Sequence, residues 1–72
     1  MMLSRNAENV ITWLRADTEL RGGKGRRLSR IQSEVGLTDS ETRSALRELE
    51  DCGLIEINDD NPFGFIYARL VQ

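Results

Sequence analysis

Any chemistry this chain performs has to be done with arginine. Of its ten cationic residues nine are Arg and only Lys24 is Lys, while His is absent and Cys52 is the single cysteine. A guanidinium presents a rigid fork of donors that matches a phosphate or a carboxylate, whereas an ammonium acts as a point charge. Without His or a second Cys there is no ligand set for a structural zinc, no disulfide and almost no nucleophile–base pairing. The twelve acids show no pairing that suggests general acid–base work, and so short a chain encloses little pocket. These residues point to a binding module rather than an enzyme, with no cofactor or metal.

The cations are unevenly placed. Arg21, Lys24, Arg26, Arg27 and Arg30 fall within twelve residues that contain no acid, half of all cations in a sixth of the length. The functional reading is a patch that grips phosphates, its glycines letting backbone approach the ligand; the plain alternative is a solvated loop. The concentration of positive charge in a chain of net charge −2 favours the patch, because the overall balance gives no unspecific attraction to a polyanion. Gly-Gly-Lys-Gly-Arg-Arg lacks the spacing and the preceding strand of a P-loop. Asp59, Asn61 and Gly64 begin like a calcium loop, but Leu70 stands where a bidentate Glu is required.

The elements that must position these residues are legible from period and caps. Leu3, Ala7, Val10, Ile11 and Leu14 mark one face of a helix from about Ser4 to Leu20, with Ser4 as N-cap and Glu8 in its first turn. Trp13 flanks that stripe, either closing one side of the core or anchoring a partner; small cores need large side chains, which favours the first. A Gly-rich loop follows. Ser29 and Gln32 have capping-box spacing for a short second helix carrying Ile31 and Val35, which Gly36 stops. Thr38 and Glu41 make a second capping box, opening a helix to about Cys52 with Ala45, Leu46 and Leu49 inward and Gly53 as its stop. Cys52 continues this pattern and is expected as a small buried hydrophobe.

The connection through Gly36 and Leu37 has the length of a helix-turn-helix. Beyond Gly53 the period changes to that of strands. Leu54–Ile57 and Phe65–Val71 flank the turn-rich Asn58–Gly64, predicting a hairpin, and Arg27-Leu28 is a candidate third strand. Phe63 and Phe65 flank Gly64 at the turn, where one of them can stand exposed; Phe65 closing the core and Phe63 covering the hairpin base is the expectation for at least one of the two. An α+β fold of three helices followed by a hairpin, in one domain spanning residues 1–72, is the expected architecture: a winged helix-turn-helix.

At this point the stretch LSRIQSEVGLTDSETRSALRELEDCGLIEI resembles the winged helix-turn-helix superfamily of prokaryotic regulators. The carrying features are the small polar residue Ser29, the turn Gly36-Leu37, the Thr38 cap, the Ala45-Leu46-x-x-Leu49 ridge and the junction Cys52-Gly53-Leu54-Ile55. The resemblance implies that the 38–52 helix is a recognition helix lying in the major groove of duplex DNA, with Ser40, Glu41, Arg43, Ser44 and Arg47 on its exposed face. Arg43 and Arg47 stand four apart and can point the same way, and Arg contacts guanine bidentately. Ser29 and Arg30 would hold a phosphate at the positive end of the second helix, and Arg26 and Arg27 would grip phosphates from the loop. Against this, Asp39 and Asp51 are spaced to occupy Arg43 and Arg47 in surface pairs worth only about 0.2–0.5 kcal/mol each.

The hairpin departs from the family pattern. Its turn offers Asp59 and Asp60 and no cation before Arg69, so either it points away from DNA or the domain binds something else. Two functions stay open: a transcriptional regulator that reads duplex DNA, and a winged helix recruited for protein–protein interaction through the acidic wing or the first helix. A homodimer would have to use the first helix or the hairpin. The start MMLSRNAENV lacks the apolar run of a signal peptide and no stretch approaches a membrane span, so a cytoplasmic location and no membrane partner are expected.

Overall fold

Helix α1 (Arg5–Arg21) begins where the Ser4 hydroxyl accepts the Ala7 N–H at 3.1 Å. The same serine donates its backbone N–H and its hydroxyl to the Glu48 carboxylate at 2.7 and 2.8 Å, so the cap also ties α1 to the third helix. The computed structural model describes residues 2–71. The expected stripe is the buried face of α1: Ala7, Val10, Ile11 and Leu14 are buried, while Leu3 and Trp13 pack half-buried against the core. Trp13 thus takes the core-closing role. None of the helices among the described residues is long and apolar enough to cross a membrane.

Strand β1 (Arg26–Arg27) leads directly into helix α2 (Leu28–Val35). This corrects the expected cap. The residue before α2 is Arg27, whose side chain makes no capping bond, and Ser29 lies within the first turn. The physical reason is strand pairing. The Leu28 N–H, which would be an orphan donor of the helix, bonds the Ile66 carbonyl at 2.8 Å, so the chain turns helical two residues earlier than a Ser29 cap would allow. Gly36 then ends α2 in the left-handed region at φ 71°, a conformation that a side chain would strain.

Helix α3 (Asp39–Asp51) carries the capping box that its sequence announces. Thr38 Oγ1 accepts the Glu41 N–H at 3.1 Å, and the Glu41 carboxylate accepts the Thr38 N–H at 2.9 Å. The hydrogen bonds from Thr38 hold the Glu41 carboxyl below the usual carboxylate range. Thr38→Ala removes one side of this exchange and is expected to cost about 1 kcal/mol of stability, read as a lower urea midpoint at unchanged slope. Thr42, Ala45, Leu46 and Leu49 form the buried face of α3, and Cys52 at its end is half-buried rather than buried.

Strands β2 (Ile55–Asn58) and β3 (Tyr67–Leu70) form the hairpin, and the antiparallel sheet has the order β1-β3-β2. Its register pairs Ile57 with Ala68 on one side and Ala68 with Arg26 on the other. Partners directly opposite share a face. Ala68 is fully buried with Ile55 against Val10, Leu14, Leu28, Ile31, Leu46 and Leu49 in one core cluster. The α+β architecture of three helices and a hairpin is therefore present, and the third strand lies at Arg26–Arg27 instead of Arg27-Leu28.

Candidate functional site

The register decides what each arginine of the basic stretch can do. Side chains alternate across a strand, and Arg26 opposite Ala68 faces inward while Arg27 faces out. Arg26 is buried at 8% exposure. Its Nε donates to Asp17 Oδ2 at 2.5 Å, its Nη2 to the Gly22 carbonyl at 2.9 Å, and its Nη1 to the Lys24 carbonyl. Arg26 therefore belongs to no phosphate patch. It braces the Gly-rich loop against α1, and four of its five N–H donors are taken up within the protein, the second Nη2 bond going to the Asp17 carbonyl at 3.3 Å.

Asp17, which the sequence pattern did not single out, is the acid on which this brace closes. It also accepts from Arg21 Nε at 3.1 Å. The Arg26 hydrogen bond holds the Asp17 carboxyl below the usual carboxylate range against the opposing effect of burial, and the charges of Arg26, Arg21 and Arg30 add to it. A carboxyl lowered in the folded state contributes stability in full above the ordinary carboxylate range and loses it as pH falls through the folded value. The urea midpoint of Asp17→Asn should accordingly fall less steeply with acidification than that of the parent; parallel acid limbs would mean the brace contributes nothing to acid sensitivity.

Arg27 faces solvent, with its guanidinium carbon 3.9 Å from the centre of the Phe65 ring. It lines a groove with Ser29 and Gln32 of α2, Asp39 and Arg43 of α3, and Gly64 and Phe65 of the hairpin loop. A second groove runs along α3 and is lined by Asp39, Ser40, Arg43, Ser44 and Arg47. Arg43 and Asp39 border both, so the two grooves form one continuous surface joining both helices and the hairpin loop. Arg43 Nε donates to Asp39 Oδ2 at 2.7 Å, with both side chains more than half exposed. Among the described residues Arg47 makes no ion pair with Asp51. Of the residues expected to contact DNA, Arg27, Ser29, Ser40, Arg43, Ser44 and Arg47 thus share this surface. Arg26 is buried, and Arg30 is exposed but lines neither groove, its charge being felt at Asp17.

The hairpin loop departs from expectation in its aromatics. Phe63 is 77% exposed and Phe65 38%, and their rings stack with centroids 5.7 Å apart. Neither closes the core. Asn61 is the cause: its Oδ1 accepts the N–H groups of Phe63 and Phe65 at 3.0 and 3.1 Å, and its Nδ2 donates to the Phe65 carbonyl at 2.6 Å. This side chain holds residues 61–65 as a tight loop, so β3 begins at Tyr67 rather than Phe65 and the rings stay outside.

The loop also separates its charges. Asp59 and Asp60 line a cavity with Glu50 and Glu56 along the β2 arm, whereas Gly64 and Phe65 border the arginine-lined groove. Arg69, the one cation of the hairpin, is bonded to Glu56 across the strands. Fold and surface define an α+β chain with two consecutive helices and a hairpin loop bordering one arginine- and serine-lined groove. No protein-family model matches the chain, and no curated protein matches it. A solved structure, that of a "putative DNA-binding protein" from Ralstonia eutropha JMP134, shares the fold with a TM-score of 0.82 and 24% identity, over 99% of this chain and 86% of that one.

Proposed function

We propose that the chain is a winged helix-turn-helix domain that reads duplex DNA as a cytoplasmic transcriptional regulator. In this reading α3 enters the major groove, with Ser40, Arg43, Ser44 and Arg47 toward base edges and the flanking phosphates. Arg27, Ser29 and the first turn of α2 take a phosphate of the adjoining backbone, where helix N–H groups and the positive helix end favour an anion. Arg30 adds its charge at the edge of that contact.

The observation that carries this reading is the segregation of charge. The chain is acidic as a whole, yet Arg27, Arg43 and Arg47 are gathered on one grooved surface with Asp39 as the only acid lining it among the described residues, and that acid is already bonded to Arg43. The acidic arm of the hairpin opens on a different cavity, which supports a binding mode that keeps the acids of the wing off the phosphate backbone. The fold shared with the Ralstonia protein, described as DNA-binding, supports the same reading.

The test is retention of duplexes from a random pool at two salt concentrations, with sequencing of what is kept. An enriched motif, with affinity that falls steeply as salt rises, is the expected result, because each phosphate neutralised releases counterions. Absence of retention at low salt would overturn it and direct attention to a protein partner.

A further inference from the structure

We propose that the hairpin loop is an aromatic wedge: Phe63, backed by Phe65 and Arg27, unstacks a base step of the bound duplex and kinks it. The inference rests on the DNA-binding reading, and it gives the loop a task that the charge argument leaves open.

Phe63 is about three-quarters exposed at a loop tip, where a large apolar ring in water carries an energetic cost that folding does not require. It is nonetheless held in place. Its ring stacks on Phe65, the Phe65 ring carries the Arg27 guanidinium on it, and Asn61 fixes both phenylalanine backbones through three hydrogen bonds. A ring that is exposed yet pre-positioned loses little conformational entropy when it meets a flat partner. The segment from Asn61 to Ile66 is uncharged, so the aromatic tip itself carries no charge that a phosphate would repel.

The partner is chosen by position. Phe65 and Gly64 border the groove that also holds Arg27, Ser29 and Arg43, so any duplex seated there lies beside the aromatic tip. Apolar side chains inserted between base steps are a means of bending DNA, and pyrimidine–purine steps yield most readily. Contact with bases rather than phosphates also fits a loop that supplies no free cation of its own.

The probe is a duplex carrying the sequence recovered from the random pool, with 2-aminopurine placed in turn at each pyrimidine–purine step. The expected result is a fluorescence rise at one flanking step on binding by the parent protein. Phe63→Ala should abolish it and weaken affinity roughly tenfold, the loss of one ring–base stack, while the slope of affinity against salt stays unchanged because no charge is removed. Phe63→Trp should restore the signal. Binding with no unstacked step, or a Phe63→Ala variant whose signal matches the parent, overturns the wedge and leaves the DNA-binding reading intact. Loss of self-association by Phe63→Ala in sedimentation, with the DNA signal unaltered, would instead assign the tip to a second copy of the chain. Failure of the parent to retain any duplex overturns both readings.

Discussion

Replacing Arg26 with Ala is expected to destabilise the fold by about 3 kcal/mol, because removing one partner of a buried ion pair leaves the other charge poorly compensated. In a chain of this size that corresponds to a fall in melting temperature of roughly 15 °C. The figure sits at the lower end for a broken buried pair because Arg21 still reaches Asp17 at 3.1 Å. The loss has a second source: the Gly22 and Lys24 carbonyls give up their donor, so the Gly-rich loop detaches from α1. Replacing both members of the pair at once, as Arg26→Met with Asp17→Leu, should recover most of the stability, since an apolar pair of similar volume needs no compensation. Thermal melts of the two variants decide the matter. An Arg26→Ala protein that melts with the parent, yet binds DNA less well, would return Arg26 to the phosphate patch from which its burial removes it.

That Arg26 is buried and Arg27 exposed could not be read from the sequence, and the reason is specific. Alternation identifies the inward side of a strand only when several residues repeat it, and β1 has two residues, both Arg. The fact that separates them is the pairing of Arg26 with Ala68, a contact 42 positions along the chain. Asp17 was equally hidden, because on α1 it stands only at the end of the apolar stripe and acquires its meaning from the loop folding back. Local signals, by contrast, were sufficient. The Ser4 cap, the Thr38–Glu41 box, the stop at Gly36 and the apolar faces of α1 and α3 are all set by neighbours within four residues, and all are found where spacing places them.

Two misplacements have different causes, a long-range strand contact in one and a side chain within the same loop in the other. Ser29 has the sequence of a cap, but the Leu28 N–H is claimed by Ile66 and the helix starts earlier. Phe65 has the sequence of a strand residue, but Asn61 binds its backbone on both sides and keeps it in the loop. Turn-forming residues announced the loop; which of its backbone groups the Asn would claim was not encoded in their identities alone. The candidate surface inherits this division. Residues of α3 were found by helical spacing, while the contribution of the hairpin loop, Phe65 against Arg27, emerges only when β1 and the loop are brought together.

Arg43 is where the candidate surface is most exposed to test. It borders both grooves, so in the proposed complex it stands between the base edges read by α3 and the backbone held at α2. In the free protein its partner is Asp39, in a surface pair that contributes only about 0.3–0.5 kcal/mol. A guanine edge or a phosphate can replace that carboxylate at little cost. Arg43→Ala should therefore leave the melting temperature within a few degrees of the parent while costing about 1–3 kcal/mol of affinity for the selected sequence, a loss of roughly ten- to a hundredfold, with relaxed preference at one base position. Asp39→Asn should act in the opposite direction, freeing Arg43 and removing the one negative charge that lines the groove among the described residues, and so tighten binding to every duplex. Competition of each variant against the selected and an unrelated duplex distinguishes the roles. If Arg43→Ala weakens both duplexes equally, the residue serves the backbone and the base-reading role passes to Arg47 and the serines of α3. If it weakens neither, α3 does not lie in the groove.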